Sequence, residues 1–390
     1  MKKNKKFHTW AEIDLNAVAY NLKQINHLAA QNYFYIATHK KAKKIQRAGV
    51  LTVIKADAYG HGMDKVALCL KKNGVEYFAV SDIREGIRLR KLGVKNPILL
   101  FESTLPEMAD DIIDYDLTPT ICTLELAEAI NKRAKRKKKR VSIHVKVDTG
   151  MGRLGIWCED VLPFIAKLQK MTYLIIEGIY THFSSADSDR SFTEVQIGRL
   201  YDLIISLDKK GLVVPLIHAS NSMGLAGYKT NILNLVRPGI LLYGLYPDPQ
   251  AKKALSLKPA MSVKSRVIFI KKVEKGRTIS YGHTFTAKKS MTVATVPIGY
   301  NDGYFRAFSN KAHVLINGQC CKVLGRVTMD QIIVDVSKVK APKLGMGVVI
   351  LGQSKNKSVT AEDLAEWAGT INYEIVCSLG NRLPRVYKTT

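Results

Sequence analysis

Acidic residues are scarce in this chain. Across 390 residues there are 33 Asp and Glu against 60 Lys and Arg, a formal net charge of +27. Charge of this size gives salt-sensitive attraction to nucleic acid or anionic lipid, unless it sits in a solvated basic loop. The motifs of specific nucleic-acid binding are absent. No RNP, zinc-finger or comparable motif is present, and no aromatic residue interrupts the basic run Lys132–Arg140 to stack a base. Long apolar runs are missing too, so no transmembrane helix is expected. The basic start Met1–Lys6 leads into the alternating Trp10–Leu15 rather than an apolar core, which argues against a secretory signal. The six cysteines have no CxxC spacing and no His/Cys cluster, so no metal site is expected and a reducing cytoplasm fits.

What is present is an alternation. Eight strand-like runs lie at Val50–Lys55, Tyr77–Val80, Pro97–Phe101, Leu117–Ile121, Val141–Val147, Leu174–His182, Val214–Ser220 and Leu235–Tyr243. Helical patterns such as Met63–Asn73, Ser81–Leu92, Thr123–Ala134 and Phe192–Lys209 fall between them, with Asp82 and Thr123 as N-caps. This rhythm predicts an α/β fold, a (β/α)8 TIM barrel over residues 13–248. After Pro247–Pro249 the pattern changes to Met261–Val273, Thr292–Pro297, His313–Ile316, Gln331–Val336 and Val348–Leu351, broken by turns such as Asn317–Gly318. These runs predict a mostly-β C-terminal domain over 249–390, with one helix, Ala361–Ala368, capped by Thr360. Residues 1–12 are expected to form a strand packing with that domain.

Barrel enzymes place their chemistry at the C-terminal ends of the strands. Here the first strand ends at Lys55, followed by Tyr59 and the glycine-bracketed turn Gly60–Gly62. A lysine there is either an ordinary strand-end residue reaching water or a partly desolvated amine able to attack a carbonyl. The other ends favour the second reading. The fifth strand runs into Lys146–Arg153, the sixth ends in Thr181–His182, the seventh in His218–Ser222, and the eighth carries Arg237–Ile240. Taken singly, His182 reads as a structural histidine and Arg237 as a salt-bridge residue, but five polar ends on one barrel face predict a shared site. Ser222 and the amides around Gly239 supply donors where barrel loops commonly bind phosphate. A phosphate cradle and a Schiff-base lysine imply pyridoxal phosphate.

At this point the chain resembles the alanine racemases, bacterial fold-type III pyridoxal-phosphate enzymes. The matching stretches include Trp10–Asp14, Lys55–Gly62, Lys146–Arg153, Thr181–Phe183, Asn221–Ser222, Arg237–Ile240, Ile279–Gly282, Gly299–Gly303, Gly325–Gln331, Thr370–Glu374 and Arg382–Arg385. The resemblance implies two-base interconversion of L-alanine and D-alanine, supplying D-alanine for peptidoglycan. It makes Lys55 one base, carrying pyridoxal 5′-phosphate covalently, and Tyr281, from the β domain of a homodimer partner, the other. Tyr59, Asn221, Ser222, Gly239, Ile240 and Tyr373 fall at cofactor contacts, His182 beside the ring, and Arg237 at its nitrogen with His218 in support. Arg153 and the Met329 backbone resemble carboxylate contacts. Lys146 matches a lysine often carboxylated in relatives, and Tyr300, Arg306 and Arg326 match residues of a substrate corridor. A tyrosine with its ordinary pKa of about 10 is a poor base at neutral pH unless a cation or hydrogen bonds lower it. An arginine at the ring nitrogen weakens the electron sink, because it stays charged and cannot protonate that nitrogen.

The chain departs from the family in extra residues within Gln31–Gly49, in the basic run 132–140, and in Thr328, where relatives commonly have cysteine. Alternatives within the class are a serine or broad-specificity racemase, although Tyr373 suits a small pocket, and an ornithine-type decarboxylase. An alternative of another kind is an inactive barrel that binds polyanions, against which the intact lysine, tyrosine and arginine set argues.

Overall fold

The computed structural model describes residues 7–31, 33–38, 41–380 and 382–389, so the basic start Met1–Lys6 lies outside it. The chain divides into two compact units. Among the described residues, one comprises those within 18–58 and 63–258, and the other residues 7–17, 59–62 and those from 259 to 389.

The first unit is a parallel barrel. Its strands are Gly49–Val53, Tyr77–Val80, Ile98–Ser103, Thr118–Ile121, Val141–Asp148, Leu174–Tyr180, Leu216–His218 and Leu235–Val236. Each pairs in parallel with the next from the first to the seventh, and Leu235–Val236 pairs back onto the first. The seventh and eighth are tied by Asn234 N donating to Ile217 O at 3.0 Å and Arg237 N to Ser220 O at 2.8 Å. Parallel strands need crossovers, and helices such as Met63–Lys72, Ile83–Lys91, Leu124–Lys137 and Arg190–Lys209 supply them. Asp82 and Thr123 cap as expected, accepting from the backbone N–H of Glu85 and Leu126. The strands are covered on both faces, so Thr118–Ile121 is buried throughout. Fully buried Leu70, Leu89 and Ile130 seat the helices. Each such side chain contributes about 1.5–3 kcal/mol by leaving water.

Several expectations are corrected. The eighth strand stops at Val236 rather than running to Tyr243, because Pro238 has no N–H for a ladder, and Ile240–Tyr243 forms a 3₁₀ turn. The basic run is a loop only over residues 138–140, which are exposed. Residues 132–137 form the last turns of helix Leu124–Lys137, where Lys and Arg have good helix propensity and complement the dipole. Within it Arg133 pairs with Asp110 at 2.9 Å and Lys137 with Asp114 at 2.7 Å. The first strand, expected to run to Lys55, stops at Val53. In the segment 31–49, Tyr33–Thr38 and Lys41–Arg47 pair as an antiparallel hairpin.

The second unit is mostly β. Its larger sheet runs Gln319–Lys322, His313–Ile316, Gly347–Ser354, Met261–Arg266, Trp10–Asp14, Arg385–Lys388. A smaller one joins Phe269–Val273, Met291–Val296 and Ile332–Asp335. The single strand expected over Met261–Val273 is therefore two. The chain changes sheets at buried Val267, whose N–H bonds Met346 O, while that of Ile268 bonds Thr295 O. Asn317 (φ 50°) and Gly318 (φ 79°) make the expected tight hairpin turn. Thr360 and Asp363 form a full capping box on Ala361–Ala368.

Candidate active site

Lys55 stands two residues beyond the first barrel strand and is partly buried. The chain then turns the wrong way for L-residues: Ala56, Asp57, Ala58 and Tyr59 have φ of 53°, 50°, 56° and 52°. They form one turn of left-handed helix, closed by Ala58 N donating to Ile54 O at 2.9 Å. Left-handed backbone costs about 1–2 kcal/mol per non-glycine residue, so this turn stores roughly 4–8 kcal/mol. Packing offsets it. Ile54 and Ala58 are fully buried, and Asp57 Oδ1 accepts from Met63 N at 3.0 Å and Arg88 Nη1 at 3.1 Å. Strain of this kind gathers where a side chain must be aimed. No glycine or asparagine occupies 56–59, so propensity carried no sign of the turn.

Arg237, buried at the end of the eighth strand, is the hub of the barrel mouth. Nη1 lies 2.9 Å from His218 Nδ1, and Nη2 donates to Thr181 O and Ala219 O, both at 2.8 Å. Nη2 also approaches His182 Nδ1 at 3.2 Å. A guanidinium has no acceptor, so both histidines present a bare Nδ1 and carry their proton on Nε2. Burial and then the Arg237 charge hold both imidazoles well below their ordinary proton affinity, so they are neutral at pH 7. Tyr180 stacks on His218 with centroids 4.6 Å apart, and the Arg237 guanidinium carbon lies 5.3 Å from the Tyr180 ring centre. Four cations bear on His182: Arg237, Lys146, Arg153 and Lys55. The strand ends singled out in the sequence therefore do converge.

Lys146 is 5 % exposed. Burial, with Arg237 and Arg153 nearby, lowers its pKa to about 7. The loop beyond it is built on Asp148, whose Oδ1 accepts from Gly150 N and Met151 N and whose Oδ2 accepts from Gly152 N, all at 2.8 Å. This turn carries Arg153, which is exposed. Gln196, fully buried, donates to Thr149 Oγ1 and His182 O and accepts from Ser184 N, locking the fifth and sixth strand ends together.

At the seventh and eighth ends, Asn221 caps the short helix Ser222–Gly227 by accepting from Gly224 N at 2.8 Å. Buried Ser222 accepts from Gly239 N at 3.0 Å, which leaves its hydroxyl proton to donate elsewhere. Ile240 opens a 3₁₀ turn directly after. The result is a compact cradle of N–H and O–H donors suited to a phosphate.

The β unit holds the remaining residues. Tyr59 and Tyr373 face each other with ring centroids 6.2 Å apart, and burial pushes the Tyr59 hydroxyl pKa up. Gly60 (φ 76°) lies so close to helix Asn372–Ser378 that a Cβ would sit 2.2 Å from Val376 O. Segment 326–329 gathers another group. Ser280 Oγ donates to Arg326 O at 2.6 Å, Val327 N to Ser309 Oγ beside Arg306, and Tyr300 N to Thr328 O. Tyr281, Tyr300, Arg306, Arg326 and Met329 therefore share one edge. Tyr281 is 72 % and Met329 52 % exposed there, unusual for such side chains.

Sequence reasoning missed Gln196, Asp148, Tyr180, His144 and Glu177. Asp148 sat inside a quoted motif, but the others are strand or helix residues with no local signature.

The polar groups of this mouth gather at the C-terminal strand ends of a parallel barrel, the face on which barrel enzymes place their chemistry. Residues 13–247 match the family of the alanine racemase N-terminal domain and residues 260–387 that of the alanine racemase C-terminal domain. The chain is 41 % identical to the alanine racemase of Carboxydothermus hydrogenoformans, over 97 % of this chain and 99 % of that one. It is 38 % identical to that of Halothermothrix orenii, over 97 % of each. Among solved structures it superposes on an alanine racemase of Clostridium difficile 630 with a TM-score of 0.89 at 40 % identity, covering 98 % and 96 % of the two chains. For that of Bacillus anthracis with bound L-Ala-P the TM-score is 0.87 at 30 % identity, covering 98 % and 95 %. The chain belongs to the alanine racemase family. Among the described residues no helix is long and apolar enough to cross a membrane, and no His/Cys/Asp/Glu cluster could hold a metal ion.

Proposed function

We propose that this chain racemises alanine with pyridoxal 5′-phosphate held on Lys55, working in the cytoplasm as a homodimer that supplies D-alanine for peptidoglycan. The observation that carries this reading is the barrel mouth itself: Lys55, Lys146, Arg153 and Arg237 bear on a neutral His182. Beside them the Ser222–Gly239 donor cradle is fit for phosphate. The donor set suits the cofactor. Lys55 would hold it by its amine, the Ser222 hydroxyl and the Ile240 amide would take its phosphate, joined by the Gly239 N–H as it turns from Ser222 Oγ, with Asn221 shaping the helix start, and His182 would flank the ring. Arg237 would donate to the ring nitrogen. Tyr59 and Tyr373 would add phosphate contacts.

When bound, the cofactor supplies an electron sink that makes the Cα proton of the amino acid removable. Racemisation then requires a base on each face of Cα, one to take a proton and one to return it. Lys55 serves one face, and Tyr281 of the partner subunit serves the other. The exposure of Tyr281 and Met329 on one edge supports a partner covering them. Arg153 and the Met329 backbone would hold the substrate carboxylate, with Tyr300, Arg306 and Arg326 lining the approach. Lys146, with its lowered proton affinity, can take up carbon dioxide as a free amine: the nitrogen–carbon bond forms, one proton leaves to solvent, and a carbamate anion results. That anion would orient Arg153.

A chiral assay on L-alanine, L-serine and L-lysine with added cofactor tests the reading, and D-alanine is the expected product. Preference for serine would favour the broader racemase. Lys55→Ala should abolish both racemisation and the protein's visible cofactor absorbance. Full activity in that variant would overturn the site.

A further inference from the structure

Arg237 is the inner end of a longer polar chain. His218 Nε2 lies 2.8 Å from His144 Nδ1, and His144 Nε2 lies 3.5 Å from Glu177 Oε2. His144 and His218 are buried, while the Glu177 side chain is 29 % exposed. Because Arg237 can only donate, His218 must accept at Nδ1 and donate from Nε2. His144 must then accept at Nδ1 and point its Nε2–H at the carboxylate. The polarity therefore runs one way, from guanidinium to carboxylate, through two neutral imidazoles.

The backbone is built to allow it. In the sixth strand the register against the fifth slips between Ile176 and Gly178, and Glu177 is the extra residue of that bulge. A bulge re-aims the side chain it carries. The next residue has no Cβ, and one placed on Gly178 would sit 2.5 Å from His144 Nδ1. Bulge and glycine together make room for the imidazole and bring Glu177 to its far nitrogen. An acid on a barrel strand otherwise satisfies itself in water.

We infer that Glu177 and His144 are positioning residues that act through His218 to hold Arg237 as an oriented donor. Glu177 fixes the tautomer of His144, which fixes that of His218, which keeps a lone pair facing the guanidinium. The charged and titratable groups on this chain are Glu177 and Arg237 on His144, and Arg237, His144 and Lys146 on His218. The function of the relay rests on the racemase reading, but its existence does not.

The test is imidazole nitrogen NMR of ¹⁵N-histidine-labelled holoenzyme. Wild-type His144 and His218 should both be neutral with the proton on Nε2. Glu177→Leu removes the terminal acceptor, so His144 should leave the pure Nε2–H form. In the same variant kcat should fall on the order of tenfold, the effect of one buried hydrogen bond, with KM for alanine changed far less. Glu177→Gln keeps an acceptor oxygen and should hold both the tautomers and kcat within about twofold. Either histidine protonated on Nδ1 in the wild type would overturn the relay. So would tautomers unmoved in Glu177→Leu. Altered tautomers with normal turnover would refute the positioning role alone. A protein with an intact relay that does not racemise alanine would instead refute the racemase reading. Should Glu177→Leu fold poorly, the wild-type tautomers and Gly178→Ala, which crowds His144 directly, decide the same question.

Discussion

Lys146 makes a prediction about stability and pH that needs no substrate. Its ammonium is buried beside the Tyr180 ring at 4.9 Å and among other cations, and its pKa falls to about 7, well below the ordinary lysine value of about 10.4. Between those two values the unfolded chain binds a proton that the native state has lost. Stability therefore rises with pH across that window, and below about pH 7 the native state bears the full cost of a buried charge. Integrating the two titrations gives a gain on the order of 2 kcal/mol from pH 7 to pH 9. Lys146→Met fills the same buried path without a charge and should lack that gain. The assay is urea unfolding of both proteins across this range in buffer freed of carbon dioxide, read as the difference between them so that all other groups cancel. Parallel pH profiles would refute the argument, because they would mean that the lysine titrates alike folded and unfolded. Adding ¹³C-bicarbonate at pH 8 should then yield a carbamate resonance in the wild type that is absent from Lys146→Met.

Mixing inactive Lys55→Ala and Tyr281→Phe proteins should restore activity through hybrid dimers, up to roughly a quarter of wild type if subunits exchange at random and each hybrid holds one intact site. Demonstrated exchange without recovery would refute the shared site. Replacing Lys132, Lys135, Arg136, Lys138, Lys139 and Arg140 by Ser or Gln, sparing the paired Arg133 and Lys137, should leave turnover nearly unchanged and weaken heparin retention at low salt. A large fall in turnover with the fold intact would place this helix end at the chemistry. Ala56→Gly should stabilise the holoenzyme by about 0.5–1 kcal/mol in denaturant melts, since relief of left-handed strain exceeds the entropic cost of glycine at this exposed position. Destabilisation there would mean that the positive φ is not strained.

The barrel was legible because strand–helix alternation is a long-range pattern that survives errors at each boundary. Asp82, Thr123 and Thr360 signalled their caps because capping is local chemistry, read within a few residues. The convergent ends were legible through residue type, since lysine, histidine and arginine after apolar runs have no packing role. Two kinds of feature were hidden. The turn at Ala56–Tyr59 contradicts the propensity of Ala56, Ala58 and Tyr59, so tertiary packing must hold it. Glu177 and His144 depend on a one-residue slip between neighbouring strands, and register across a sheet is not written in either strand alone.

The electrostatic design of the mouth explains why its histidines must be neutral. Lys55, Lys146, Arg153 and Arg237 already bear on His182, and Arg237 and Lys146 on His218. Protonating either imidazole would add a fifth positive charge and point an N–H at the Arg237 guanidinium. Burial and Arg237 prevent both by lowering their proton affinity. The excess of cations is then reserved for anions that arrive from outside, a phosphate at Ser222 and Gly239 and a carboxylate near Arg153. A carbamate on Lys146 would convert one of the four cations into an anion and ease the same repulsion from within. Binding and folding are thereby coupled, so inorganic phosphate should stabilise the cofactor-free wild-type protein more than a Ser222→Ala variant in thermal melts. Equal stabilisation of the two would remove the cradle from this account.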